Sequence, residues 1–141
     1  TRSGRRRAAQ SGAVLRAARH FGLGFLPFFP LRSGLLTGKY TRDGGPEGSR
    51  IMTSPTGADV LRNAPWDALD AYQAYCDAKG ITVLQATFGW LLAQPGLSSV
   101  IAGATSAEQV AANVAAAQWR PSADEVTEIG AFFPLQVDPA A

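Results

Sequence analysis

Two short apolar runs and a series of helix-spaced stripes dominate the pattern of this chain. Gly24–Phe29 (GFLPFF) is continuously apolar and bounded by turn formers, as expected of a strand buried on both faces of a parallel sheet. Pro27 within it removes one ladder donor. Ser98–Ala102 (SSVIA) reads as a second short strand. Before the first run, Ala13–Phe21 forms a short helix that Gly22 ends. After it, Leu31–Tyr40 is a glycine-bearing loop. Thr41–Asn63, with Gly44, Gly45, Pro46, Gly48, Pro55 and Gly57, reads as a long surface loop. A helix then runs from about Pro65 to Lys79, its apolar stripe formed by Trp66, Leu69, Tyr72 and Cys76 and its end by Gly80. The next starts at Thr82 with a Thr82/Gln85 capping box. It buries Leu84, Phe88, Leu91 and Leu92 and stops at Gln94-Pro95-Gly96. Ser106/Gln109 opens a helix to about Gln118, and Ser122/Glu125 one near Asp124–Phe132. Strand, loop, helices, strand, loop, helix is an α/β order with parallel strands.

Composition narrows the class. Hydrophobic residues make up 46% of the 141 and charged residues 17%, a globular balance with room for one modest core. The net charge of +2 is uneven: six arginines and no acid fall in residues 1–20, and every acid lies beyond Tyr40. The leader at 1–12 has no periodicity and reads as a disordered basic terminus, with 13–141 as the folded part. No aromatic residue is interleaved in Thr1–Arg16 and no second basic patch follows. A solvated terminus is therefore favoured over a nucleic-acid arm. The longest apolar run, broken by Pro27 and Pro30, is too short to span a bilayer, and no apolar stretch follows the first arginines as in a signal peptide. The single cysteine, Cys76, points to a reduced, cytoplasmic setting.

Candidate chemistry sits at two junctions just past the ends of the expected strands, where α/β folds bind ligands. One is Phe29–Tyr40 (FPLRSGLLTGKY) and the other Ile101–Asn113 (IAGATSAEQVAAN). The second gathers free backbone N–H groups and small polar side chains at a helix N-terminus, a geometry that suits phosphate. The same residues also serve a plain turn at Gly103 and a cap at Gln109. No metal-ligand spacing is present, and His20 has no apparent partner.

These segments carry a resemblance. The first resembles the PLxxGxLTGKY stretch after the seventh barrel strand of aldo/keto reductases, and the second their IxGAxxxEQxxxN segment at the eighth. Gly80–Gln94 (GITVLQATFGWLLAQ) is similar to the family's intervening helix. The likeness covers about Val14 to Glu128 and is nearest to the bacterial branch that also resembles potassium-channel β subunits. It implies the C-terminal portion of a (β/α)8 TIM barrel, incomplete, with about two parallel strands plus helices. It also implies NADPH as cofactor. By matching position, Leu31, Arg32 and Ser33 approach the pyrophosphate and Phe29 the nicotinamide end. Gly103, Thr105, Gln109 and Asn113 surround the adenosine and its 2′-phosphate. Two departures stand out. Ala112 occupies a position that is often an acid, and a basic residue frequent near Thr105 or Ser106 is missing.

The implied catalytic Asp, Tyr, Lys and His come from the first half of the barrel, so no catalytic residue is assigned here. Asp67 with Tyr72, or Asp70 with Tyr75, imitates the tetrad's Asp–Tyr spacing. Five residues along one helix place each pair on different faces, and an ordinary amphipathic helix is the expectation. The chain thus reads as a fragment of an NADP-dependent oxidoreductase acting on a small-molecule carbonyl, an aldehyde or ketone. Alone it is expected to be inactive and to self-associate. The rivals are a non-catalytic nucleotide-binding or interaction module and, more weakly, a nucleic-acid binder using the leader. The leader's composition also fits sequence read out of frame from a GC-rich gene, or an arbitrary truncation.

Overall fold

The computed structural model describes Val14, residues 16–27 and residues 29–133. The leader at 1–12, Ala13 and Phe28 lie outside them. Residues 16–20 are helical and end where Gly22 turns left-handed (φ 65°), with the Leu23 N–H returning to the Ala18 carbonyl at 2.7 Å. A 3₁₀ segment, Arg32–Thr37, precedes α1 (Arg50–Thr53), α2 (Gly57–Arg62), α3 (Trp66–Lys79), α4 (Val83–Leu92), α5 (Ala107–Ala116) and α6 (Ala123–Phe132).

The two expected strands do not form a ladder. Their segments meet in one parallel bridge, Phe25 with Leu97, and the Ser98 N–H donates to the Phe25 carbonyl at 2.9 Å. The direction is that of a parallel α/β pair. The extent is not, and the reason is cover: a parallel strand needs neighbours at both edges and apolar layers on both faces. Among the described residues no third extended segment flanks the pair, Pro27 donates nothing, and Ile101 stays 65% exposed.

Capping agrees with the sequence at three helix ends. Gly80 closes α3 in the left-handed region (φ 66°), and the Thr82/Gln85 and Ser122/Glu125 boxes are both complete. The box expected of Ser106 and Gln109 is half formed. Ser106 Oγ accepts from the Gln109 N–H, but the Gln109 carboxamide reaches Thr105 instead of the Ser106 N–H.

The segment expected as a loop, Thr41–Asn63, carries α1 and α2 and closes its own core. Leu35, Tyr40, Ile51 and Trp66 are buried there, with Val60, Leu61 and Leu69 against them. Apolar residues scattered among the glycines find partners once the chain turns. The Tyr40 hydroxyl accepts from the Ile51 N–H at 3.1 Å, and Trp66 Nε1 donates to the Leu61 carbonyl at 2.7 Å. Gly57 is required by close approach, since a Cβ there would lie 1.8 Å from the Ile51 carbonyl oxygen.

Helix α4 is the hub, packing against the 3₁₀ segment, α3, α5 and α6. Its deepest residues are Val83, Ala86, Thr87, Phe88 and Gly89, whereas Leu84, Leu91 and Leu92 are half-buried. A helix covered from several sides has no single stripe, and its small residues mark the closest approaches. Gly89 lies under the Trp119 ring, where a Cβ would come within 2.3 Å. Around it Tyr72, Cys76, Val83, Ala86 and Ile129 form the main core, edged by Trp90, Trp119, Phe132 and Phe133.

Candidate functional site

At the first junction the backbone itself is unusual. Phe29 (φ 60°), Arg32 (φ 48°) and Ser33 (φ 60°) are the non-glycine residues with positive φ among those described. Each such residue costs about 1–3 kcal/mol, which the surrounding structure must supply. Here the turn is fixed by hydrogen bonds: Arg32 N–H to the Phe29 carbonyl at 3.0 Å, Gly34 N–H to the Leu31 carbonyl at 2.8 Å, and Thr37 Oγ1 to the Gly34 carbonyl at 2.7 Å. Leu31 and Ser33 are half-buried, while Arg32 is exposed.

Cations gather at this turn. The Arg50 guanidinium lies over the Phe29 ring, 5.1 Å from its centroid. The Lys39 stem folds back over Gly34, and its ammonium sits 5.3 Å from the centre of the Tyr40 ring. Pattern reading missed Arg50 because its segment looked like a featureless loop. Only the burial of its neighbour Ile51 brings α1 to the site.

The second junction is built on the N-terminus of α5. Gln109 Oε1 accepts from the Thr105 N–H at 3.0 Å and from Thr105 Oγ1 at 3.3 Å, clasping the turn that follows Gly103. Gly103, Thr105 and Gln109 are exposed. Asn113, one helical turn beyond Gln109, is half-buried and lines a groove of about 300 Å³ with Phe88, Val100, Ala102, Ala104 and Val110. The structure thus holds the eight sequence candidates in two clusters, Phe29, Leu31, Arg32 and Ser33 in one, Gly103, Thr105, Gln109 and Asn113 in the other. Helix α4 is the element against which both the 3₁₀ segment and α5 pack.

The two clusters differ in charge. Arg32, Arg50 and Lys39 near the first fit an anionic pyrophosphate. At the second, Glu108 in the first turn of α5 is the single charged side chain between Leu97 and Trp119, which does not fit a 2′-phosphate.

The Asp–Tyr pairs of α3 are structural. Tyr72 is buried, its hydroxyl 3.2 Å from Thr87 Oγ1, and burial pushes its pKa up. Tyr75 donates to Glu128 Oε2 at 2.9 Å and is also pushed up, by burial first and then by that carboxylate. Asp67 and Asp70 hold Arg42 at 2.7 and 2.9 Å. Cys76 is fully buried and its thiol is pushed up to about 11. Among the described residues no cluster of His, Cys, Asp and Glu could hold a metal, and no helix is long and apolar enough to cross a membrane.

Comparison with known proteins places the chain in a family. Residues 6–132 match the aldo/keto reductase family. A candidate voltage-gated potassium channel β subunit of Schizosaccharomyces pombe is 33% identical over 83% of this chain and 37% of its own length. An NADH-specific methylglyoxal reductase of Escherichia coli is 34% identical over 77% of this chain and 33% of its own. A human aldo-keto reductase of family 7 is 36% identical over 73% and 36%. The chain therefore spans about a third of the length of the curated relatives it matches. Members of the family are oxidoreductases built on a (β/α)8 barrel. With a match across nearly all of its described residues, this chain belongs to the aldo/keto reductase family.

Proposed function

We propose that this chain carries the dinucleotide-holding part of an aldehyde or ketone reductase and not its proton donor. The observation that carries the reading is a coincidence of position. The three left-handed non-glycine residues, Phe29, Arg32 and Ser33, are residues that the family resemblance puts against the cofactor. Strain of this kind concentrates where a backbone must follow a ligand. Arg32 and Arg50 would neutralise the pyrophosphate, Leu31 and Ser33 would shape its cradle, and Phe29 would face the nicotinamide end. Asn113 would be the polar contact for an adenine lying in the apolar-walled groove beside it. When bound, the dinucleotide supplies a hydride; this chain binds and orients it. The resemblance implies NADPH. Cys76, buried and reduced, suits a cytoplasmic protein.

Neither tyrosine of α3 is tuned for proton transfer. A general acid needs a pKa near the working pH, yet Tyr72 and Tyr75 are shifted upward. The same fact favours a second reading, a non-catalytic nucleotide-binding module. Titration calorimetry with the purified 141-residue chain tests the cofactor reading. Asn113→Ala should weaken dinucleotide binding about tenfold or less, with far-UV circular dichroism unchanged, the loss of one hydrogen bond. No aldehyde should drive oxidation of NADPH or NADH by the chain alone. Unchanged affinity in Asn113→Ala removes that residue from the site, and turnover above background refutes the missing proton donor. Restored turnover on adding the preceding part of a family barrel would decide for the reductase over the binding module.

A further inference from the structure

We propose that the Gly103–Gln109 turn selects a dinucleotide whose adenosine 2′-position is a free hydroxyl, NAD(H), over one that carries a 2′-phosphate. This rests on the placement of the adenosine end at this turn, as given above. A 2′-phosphate brings almost two negative charges and accepts hydrogen bonds without donating any. It therefore needs cations or spare donors.

The turn offers no cation. Its one charged side chain is Glu108, and the nearest base along the chain, Arg120, donates to the carbonyls of Ala117 and Trp119 beyond the far end of α5. A ten-residue helix separates that end from the turn, about 15 Å. Both donors of Thr105, its N–H and its hydroxyl, are taken by Gln109 Oε1. The Ser106 hydroxyl accepts from the Gln109 N–H, and it is the chief influence holding the Glu108 carboxyl below its ordinary pKa. What remains is the Gln109 amide nitrogen and the Ser106 and Ala107 N–H groups of the helix end as donors, and the Glu108 and Thr105 oxygens as acceptors. The helix N-terminus adds about half a positive elementary charge, less than the full negative charge of Glu108 opposing it. A ribose 2′-hydroxyl both donates and accepts, so a carboxylate beside an amide N–H serves it on both counts.

The experiment is equilibrium binding of NADH and NADPH to the 141-residue chain by calorimetry, repeated with Glu108→Lys and Glu108→Gln. NADH should bind about tenfold tighter than NADPH at low ionic strength, the scale of one carboxylate against a dianion across a wet surface. Glu108→Lys should strengthen NADPH, weaken NADH by the loss of its 2′-hydroxyl acceptor, and reverse the order. Glu108→Gln should move the ratio the same way by less. Equal affinities, or NADPH the tighter in the wild-type chain, overturn this inference and leave the dinucleotide site standing. A ratio unmoved by both substitutions overturns the assignment to Glu108. Binding of neither dinucleotide removes the site and this inference with it.

Discussion

Removing the Thr87 hydroxyl should open the core more than removing the Tyr72 hydroxyl, although each deletes one oxygen. Thr87 Oγ1 donates to the Leu36 carbonyl at 3.2 Å, so the Tyr72 hydroxyl, 3.2 Å away, must donate to Thr87. Thr87→Val keeps the volume but strands both partners, one of them a tyrosine only 2% exposed. A lost hydrogen bond costs about 0.5–1.5 kcal/mol and a stranded buried donor about 1–3, for a total near 2–3 kcal/mol. Tyr72→Phe strands no donor, since Thr87 keeps Leu36, and should cost about 1 kcal/mol. The double variant should be less damaged than Thr87→Val alone, because its two apolar groups leave only Leu36 unpaired. Cys76 reports the result. It is the one cysteine, fully buried in the same cluster, and modifiable only when that cluster opens. At about 1.4 kcal/mol per factor of ten, thiol labelling at dilute concentration should speed up roughly 30- to 100-fold in Thr87→Val and about 5-fold in Tyr72→Phe. Equal rates in the two single variants, or a double variant faster than Thr87→Val, would refute the donor assignment. Immediate labelling of the wild-type chain would refute the core itself.

The chain should self-associate and bind apolar dyes. Phe21, Leu23 and Leu26 are exposed at one end, and Val110 and Val114 on α5 add to exposed Ile101. Sedimentation together with dye fluorescence checks this, and a monomer that binds no dye would count against it. Acid should fray α6. The Ser122 N–H and hydroxyl and Lys79 hold the Glu125 carboxyl below its ordinary value of 4.5. The folded pKa is depressed, so the contribution is complete above that value and is lost as pH falls through the folded pKa. Amide chemical shifts of α6 followed below pH 5 should show this loss, and Glu125→Gln should abolish it.

Local rules made the helices and their caps legible. Thr82, Ser122 and Gly80 act on neighbours within four residues, so their chemistry is written where it operates. The two apolar segments meet in the parallel direction that the sequence suggests, but among the described residues neither forms a strand. Ladder length depends on flanking segments that no window around Gly24–Phe29 or Ser98–Ala102 contains. Thr41–Asn63 misled because glycine and proline were read as an absence of structure. Ile51, Val60 and Leu61 are too sparsely spaced to make a stripe, yet they meet Tyr40 and Trp66 across a sharp turn. The candidate site was legible only through motif resemblance. The left-handed turn, Arg50 stacked on Phe29 and the Thr105–Gln109 clasp are relations between residues that composition and periodicity do not encode.

The single bridge between Phe25 and Leu97 also bears on the order of folding. It closes a loop of about 70 residues for one pair of contacts, so nearly all of its closure entropy must be met by structure formed beforehand. Helices α3 and α4, adjacent in sequence and sharing the main core, need no such closure and can form early. The N-terminal segment then docks last and leaves first, as a separable unit held by the bridge, the Ser98–Phe25 hydrogen bond and the Arg19 stem against Gly96. The half of the site that begins at Phe29 is continuous with that segment. The proposed pyrophosphate cradle should therefore open with an event more than 60 residues away along the chain, where Leu97 lets go.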